Sequence, residues 1–298
     1  MEIGAKIKKL RTSKMMTQSE LAGPQITRNM LSQIENGSAL PSLSTIVYIA
    51  ERLNVPAGFL LAEGDDEFVY RKMNAMGNIK RAFRAGDYRI CRDICLNSLD
   101  EADDEIHLIL AECAFSIARE EFQNGHLHMS CRFFDEAIEY ADRTMYYTEH
   151  IRIIAFAYFT YMHHISLTLY SDHVDLSDSN KLWESMVYND EFCRYLAATQ
   201  ESAQFAEAYV RQYPGEEHVL ARHVEALRSM QSGDYTDAIH RLQTILNGDI
   251  SIPEPVIYTI FENLEICCRE CGDYKGAYEY ANNKVGMLDR LLTESMIL

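Results

Sequence analysis

The sequence predicts an all-α protein in two parts, a bundle of five short helices over residues 1–62 and an array of paired helices over residues 66–298. Three observations support this prediction. Only 14 Gly and 6 Pro interrupt 298 residues, which favours long helices over short strands. Apolar Ile3, Ile7 and Leu10 recur at the spacing of a helix. The tripeptide Gly-Asp-Tyr recurs three times in the second part, where it marks turns between helices.

The charge is divided unevenly between the two parts. The whole chain has a net charge of −17, yet residues 1–62 carry four Lys and three Arg against four Glu, a net +3 that leaves −20 for the remainder. Such an asymmetry predicts a polyanionic partner for the first part, and it predicts that the acidic part stays away from that partner.

No targeting or membrane segment is evident. No run of about 18 apolar residues occurs, and the amino terminus lacks the apolar core of a signal peptide. Eight scattered Cys favour a reducing compartment. We therefore expect a cytoplasmic protein without a membrane partner.

The helices of the first part have clear start and stop signals. Thr17 and Glu20 have the spacing of a capping box at the start of the second helix. Thr27 is placed to cap a third helix, and Gly37 suits the left-handed residue that ends it. In the first helix, Lys6 is expected on an outer face. Two short helices joined by a tight turn inside a small apolar bundle form a helix-turn-helix arrangement.

The third helix has a polar outer face with donors and acceptors that suit base edges. Leu31 and Ile34 are expected to face inward, since they are three positions apart. Arg favours guanine, and Asn or Gln favours adenine. The alternative is that this face is merely solvated. We expect DNA contacts from Gln18, at a phosphate-binding helix start, and from Thr27, Arg28, Asn29, Ser32 and Gln33.

Residues 2–61 resemble the lambda-repressor-like, or XRE/Cro, helix-turn-helix family. The matching segments are IGAKIKKLR, TQSELA, TRNMLSQIENG and LPSLSTIVYIAERLNVP. The resemblance implies that Arg28, Asn29 and Gln33 read the major groove and that Arg11 pairs with Glu35 inside the bundle. The turn GPQI is one residue shorter than the usual form of the family.

The second part repeats one kind of turn. The Gly-Asp-Tyr phrases start at Gly86, Gly233 and Gly272, and a diverged version is expected over residues 133–137. In each phrase, Gly is expected to end one helix, Asp to cap the next and Tyr to pack between them. A small residue follows three positions after each Tyr, which lets paired helices approach closely.

These phrases resemble the tetratricopeptide repeat over about residues 66–295. The resemblance implies about five helix pairs in a right-handed superhelix with a peptide-binding groove. Its repeat positions place four candidate peptide ligands on the inner face: His223, Glu262, Asn263 and Arg269. A side-chain amide can both donate hydrogen bonds to a peptide backbone and accept them from it, so Asn263 is a suitable peptide ligand. The alternative is that these residues are solvated or pack on the next repeat.

We predict neither enzymatic activity nor a cofactor. Cys268 and Cys271 have the spacing of a zinc or redox pair, but they lack a second pair and are expected in the core. His126, His128 and Cys131 lack a fourth ligand. No phosphate-binding, dinucleotide-binding or nucleophile motif occurs, so we predict no metal site and no catalytic site.

The whole chain resembles the peptide-pheromone-responsive regulators of Gram-positive bacteria, the Rgg/PlcR/PrgX group. That resemblance implies a homodimeric transcription regulator that binds operator DNA and a short imported peptide. The alternative is a ligand-independent repressor whose array binds a protein partner or dimerises. The apolar stripe of Leu288, Leu291 and Leu292 is our candidate for the dimer contact, although a capping helix would have the same pattern.

Overall fold

A computed structural model describes residues 3–62, 65–99, 101–171, 173–176, 190–215 except 201–202, and 217–293. All regular secondary structure in these residues is helical, which confirms the predicted class. The chain forms two compact units, residues 1–102 and 103–298. Among the described residues, no helix is long and apolar enough to cross a membrane.

The first unit contains seven helices in its described residues. They are α1 (Ile3–Ser13), α2 (Gln18–Ala22), α3 (Arg28–Glu35), α4 (Leu43–Leu53), α5 (Ala57–Leu61), α6 (Asp65–Ala85) and α7 (Tyr88–Ser98). The first five match the predicted bundle. By compactness, α6 and α7 group with this bundle rather than with the helices that follow. The predicted division into residues 1–62 and 66–298 stays a prediction about function.

A small apolar core holds α1–α5 together. Ile7, Leu21, Leu31 and Ile49 are fully buried in it. Gly4 lets α1 lie directly on the end of α3, because a Cβ atom there would overlap the Ile34 carbonyl oxygen. The close contact fixes the position of α3 in the bundle.

Lys6 is buried, which corrects the expectation that it lies on an outer face of α1. Its side chain is 2% exposed, and its Nζ donates to the carbonyl oxygens of Phe59 and Ala62, at 3.1 and 2.6 Å. These carbonyls lie at the end of α5, where helical groups lack intrahelical donors and a cation is favourable. The ammonium therefore ties α5 to α1.

The second unit contains nine helices in its described residues. They are α8 (Asp104–Gln123), α9 (Leu127–Ala141), α10 (Glu149–Ile165), α11 (Glu191–Gln200), α12 (Ala203–Gln212), α13 (Val219–Gln231), α14 (Tyr235–Leu246), α15 (Glu254–Glu270) and α16 (Tyr274–Thr293). Consecutive helices pack as pairs, most extensively α8 with α9 and α15 with α16.

The turns between paired helices follow the predicted phrase, with one correction. Gly86, Gly233 and Gly272 have φ near +80°, the left-handed conformation that favours glycine. The diverged turn expected over residues 133–137 is wrong, because those residues lie inside α9. The corresponding turn is at Gly125, with φ +83°. Ser130 takes the small-residue position there and is fully buried.

The other two residues of the phrase are less uniform than predicted. Asp234 and Asp273 accept backbone N–H groups from the following helix, but Asp87 makes no side-chain cap. Tyr88 and Tyr235 are half-buried. Tyr274 is 74% exposed, since it begins the last described helix and no later described pair covers it.

The apolar stripe on α16 packs on its own unit. Leu291 is 1% exposed, and Leu288 and Leu292 pack against the same core. A Cβ atom at Gly125 would contact the Leu291 side chain, which shows how closely α16 lies against the α8–α9 turn. The stripe therefore has the contacts of a capping helix, and its role as a dimer contact stays a prediction.

Candidate nucleic-acid interface and second-unit cavity

The first helix of the turn motif, α2, is fixed at both ends. The capping box forms as predicted: the Glu20 backbone N–H donates to the Thr17 hydroxyl, and the Thr17 N–H donates to the Glu20 carboxylate. At the other end of α2, the Tyr48 hydroxyl donates to the Ala22 carbonyl oxygen at 2.9 Å, and Arg52 Nε donates to that of Leu21. These contacts anchor α2 on α4.

A buried ionic cluster joins α1, α2 and α3. Arg11 Nε and Nη2 donate to the two carboxylate oxygens of Glu35 at 2.6 and 3.0 Å, which confirms the pair that the family resemblance implies. The Glu35 side chain is fully buried. Burial raises the pKa of Glu35, but hydrogen bonds from Arg11 and Gln18 outweigh it and leave the pKa below its ordinary value. Glu35 is therefore ionised at neutral pH.

Gln18 faces this cluster. It is half-buried, and its Nε2 donates to Glu35 at 2.9 Å. Its amide nitrogen is thus engaged inside the bundle, since the carboxylate has acceptor capacity beyond its two bonds with Arg11. The backbone N–H groups of Gln18 and Ser19 have no intrahelical acceptor at this helix start. These groups are donors available to a phosphate, and the Gln18 amide has one further N–H beyond its bond to Glu35.

The outer face of α3 is exposed where the sequence predicts it. Arg28, Asn29 and Gln33 are exposed, and Ser32 is half-buried. Within the described part of the chain, no hydrogen bond or ion pair engages these four side chains. Thr27 is exposed, and its hydroxyl accepts from the Met30 N–H at 3.1 Å, which caps the helix beneath that face. Donors and acceptors for base edges therefore stand on a rigid, capped helix.

Comparison with known families agrees with this geometry. Residues 7–60 match the family model described as helix-turn-helix. This segment is a helix-turn-helix domain. The fold is one that DNA-binding regulators use to place a recognition helix in the major groove. The curated proteins contain no significant match to the chain.

Solved structures of PlcR and ComR align with nearly the whole chain at low similarity. The Bacillus thuringiensis PlcR structure in complex with the peptide PapR7 and DNA is 16% identical, with 98% of this chain and 99% of that chain covered and a TM-score of 0.24. Apo ComR from S. thermophilus is 14% identical, with 99% and 95% covered and a TM-score of 0.22. Apo ComR from Streptococcus vestibularis is 16% identical, with 99% and 94% covered and a TM-score of 0.20.

The second unit has a cavity of about 230 Å³ between α10, α11, α13 and α15. Three of the four predicted peptide ligands line it, namely His223, Glu262 and Asn263. Arg269 does not. It lies one turn or more beyond them on α15, with a half-exposed side chain 3.8 Å from Glu265.

Two of these residues belong to a buried polar chain. Asn263 Nδ2 donates to His223 Nε2 at 3.0 Å, and His223 Nδ1 lies 2.8 Å from the Tyr195 hydroxyl. Because Nε2 accepts, the neutral ring carries its proton on Nδ1, which donates to Tyr195. Burial lowers the pKa of His223 to about 4, so the ring is neutral at physiological pH. Nearby, the Tyr161 hydroxyl donates to the Pro255 carbonyl oxygen at 3.2 Å.

Glu262 provides the charge at the rim of the cavity. Its carboxylate lies 3.6 Å from His164 Nε2 and 3.8 Å from Lys284 Nζ. The contact with His164 holds the pKa of Glu262 below its ordinary value against the opposing effect of burial. Contact with Glu262 also raises the pKa of His164. The cavity thus combines an ionised carboxylate, a neutral polar chain and apolar walls that include Leu196 and Leu227.

The sequence did not single out Tyr195 or Lys284 as site residues. Tyr195 lies in a segment where the repeat pattern is weak, and Lys284 lies on the helix after the one that carries Glu262. Each contributes through a contact with a different helix, which its own local sequence does not show. The sequence does carry a signal for Tyr161 and His164, because their spacing of three residues places both on one face of α10.

Proposed function

We propose that this chain is a homodimeric, sequence-specific regulator of transcription, in which residues 1–62 bind operator DNA and residues 66–298 bind a short peptide. The exposed polar face of α3 is the observation on which the DNA-binding part depends. That face belongs to a helix-turn-helix domain, and its Arg28, Asn29 and Gln33 side chains are free to contact bases. The net charge of +3 over residues 1–62 favours approach to DNA.

Selection from a random duplex library with the full-length protein tests this proposal, because it requires no known operator. We expect one enriched sequence with two half-sites separated by about 34 Å or a multiple of it, as a two-fold dimer requires. The variant Arg28→Ala/Asn29→Ala should then lose about 100-fold in affinity for that sequence, since each good base contact contributes about 1–3 kcal/mol.

The matched control for DNA binding is Arg211→Ala/Asn247→Ala. It removes the same residue types from exposed positions of the second unit and should bind as the wild type does. Selection that enriches no sequence, or an α3 variant that retains full affinity, would overturn the assignment of α3 as the reading helix.

The cavity in the second unit is the basis for the proposed peptide site. Its volume is below the range of about 300–1,000 Å³ typical of drug-sized ligand pockets, so it fits one side chain or one end of a peptide. The apolar walls suit an apolar side chain. The ionised Glu262 carboxylate at the rim suits a backbone N–H or a terminal amine. Asn263 keeps its side-chain oxygen as an acceptor for a peptide N–H.

Affinity capture from a pooled library of short synthetic peptides, followed by titration of the enriched peptide, tests this site. Glu262→Gln should weaken binding of that peptide by about tenfold or more, through loss of a charge-assisted hydrogen bond. The control Arg269→Gln changes an exposed residue of the same helix outside the cavity and should bind normally. Equal peptide affinities of the two variants would exclude Glu262 as a peptide ligand. The absence of any enriched peptide would favour the alternative of a ligand-independent regulator.

A further inference from the structure

The α6–α7 hairpin has a charge opposite to that of most of the chain beyond residue 62. Residues 68–99 contain seven Lys or Arg and only two acidic residues, a net +5. No acidic residue occurs between residues 68 and 86. The net charge summed over all residues beyond 62 does not reveal this basic segment, because an acidic stretch precedes the hairpin and a strongly acidic unit follows it.

The cations of the hairpin concentrate at its tip, defined here as Lys80–Arg89. Lys80, Arg81, Arg84 and Arg89 are all exposed and lie on both sides of the left-handed turn at Gly86. Arg81 donates to Asn78 at 3.4 Å. In the part of the chain that the structure describes, no acidic side chain pairs with Lys80, Arg81 or Arg84. Asp87 is the one acidic residue of the tip. Such a surface fits a polyanion.

The hairpin is packed on the helix-turn-helix domain within the same compact unit. The Arg71 guanidinium lies 5.8 Å from the centre of the Phe59 ring, and Tyr70 fills the space in front of Gly58. Further along α6, Asn74 and Asn78 line a depression together with Leu10. Leu10 adjoins Arg11, whose cluster includes Gln18 at the start of α2. The middle of α6 therefore lies beside the carboxyl end of α1.

The length of α6 extends the tip well beyond the contact between Arg71 and Phe59. At 1.5 Å per residue, Lys80 and Arg84 lie about 14 and 20 Å along the helix axis from Arg71. One turn of duplex spans about 34 Å. We propose that the hairpin tip is a second DNA-contacting surface, which binds backbone phosphates flanking the sequence read by α3. The proposal rests on the DNA binding proposed above. It commits to phosphates because a cluster of exposed Lys and Arg side chains is attracted to the charged backbone of any sequence.

The salt dependence of DNA binding by the full-length protein tests this proposal. Each lost phosphate contact lowers the slope of log K against log salt by about 0.9, so Lys80→Gln/Arg81→Gln/Arg84→Gln should lower the slope by about 3. The ratio of affinities for the selected sequence and a scrambled one should stay unchanged. The charge-conserving variant Lys80→Arg/Arg81→Lys/Arg84→Lys should keep the wild-type slope.

The matched control removes three exposed cations from the second unit, in Arg143→Gln/Arg211→Gln/Lys275→Gln, and should leave the slope unchanged. On a duplex trimmed to the sequence read by α3, the wild-type slope should fall to that of the tip variant. An unchanged slope in the tip variant, or tighter DNA binding as expected if the tip contacts an acidic protein surface, would overturn the proposal. Failure of the wild type to bind any selected duplex would instead overturn the proposed function.

Discussion

Removal of the charge on Glu35 should loosen the reading helix without touching the DNA-facing side chains. Glu35 is fully buried and accepts hydrogen bonds from Arg11 and Gln18, which belong to two other helices. Glu35→Gln removes the charge and one of the two acceptor oxygens that bind the Arg11 guanidinium, which is only 12% exposed and also donates to the Met16 carbonyl oxygen. Loss of one partner from a buried pair costs about 3–5 kcal/mol, and the partial exposure of Arg11 favours the lower value, about 3 kcal/mol.

Hydrogen–deuterium exchange of the full chain measures this loss locally. A loss of about 3 kcal/mol should speed exchange of the protected amides in α2 and α3 by about 100-fold, while peptides from the second unit stay unchanged. The matched control is Glu51→Gln, which neutralises an exposed glutamate of α4. Equal exchange rates in the two variants would refute the view that this cluster holds α3 in place.

The effect of Glu35 should also depend on pH in a defined direction. The pKa of Glu35 is lowered from its ordinary 4.5 in the folded protein. A group with a lowered pKa stabilises the fold above its ordinary value and loses that contribution as the pH falls through the folded value. The difference in exchange rate between wild type and Glu35→Gln should therefore have its full size at neutral pH and decrease below about pH 4.5.

Three further outcomes follow from the packing. Gly4→Ala should destabilise the first unit by about 1–3 kcal/mol in thermal unfolding, because its methyl group would overlap the Ile34 carbonyl oxygen. Gly233→Ala should cost about 1 kcal/mol, since φ of +80° is unfavourable for alanine although space is open there. The control Gly286→Ala replaces a glycine of the same unit that has equally open space and no positive φ, and it should not destabilise the protein. The lowered pKa of His223, about 4, means that the unfolded chain gains a proton first as the pH falls below 6.5. The free energy of unfolding should drop by about 3 kcal/mol between pH 6.5 and 4, and His223→Gln should remove that decrease.

Local signals predicted most of the first five helices. The Thr17 and Glu20 capping box, the Thr27 cap and the left-handed Gly37 each act within a few residues, so the sequence shows them directly. Lys6 was misplaced because its partners are carbonyl groups more than fifty residues away. Helical periodicity cannot reveal an acceptor that a distant helix end supplies.

The second unit shows the same division between local and long-range information. The glycine turns were predicted where a Gly-Asp-Tyr phrase was present, but the turn at Gly125 lacks the Asp and Tyr and was missed. His223 and Asn263 were expected to face a ligand, and the structure places them on the cavity wall and also bonds them to each other across 40 residues. A polar residue on an inner helix face can form a hydrogen bond with a neighbouring helix or with a ligand. Which partner it binds depends on how the helices pack.

Base-by-base specificity of the full-length protein is the most direct test of the claim that α3 reads DNA. Duplex selection with wild type and with Gln33→Ala should give the same operator except at one base-pair position, where discrimination falls by about 1–3 kcal/mol. Identical preferences at every position, or a uniform loss of affinity across all sequences, would contradict the account.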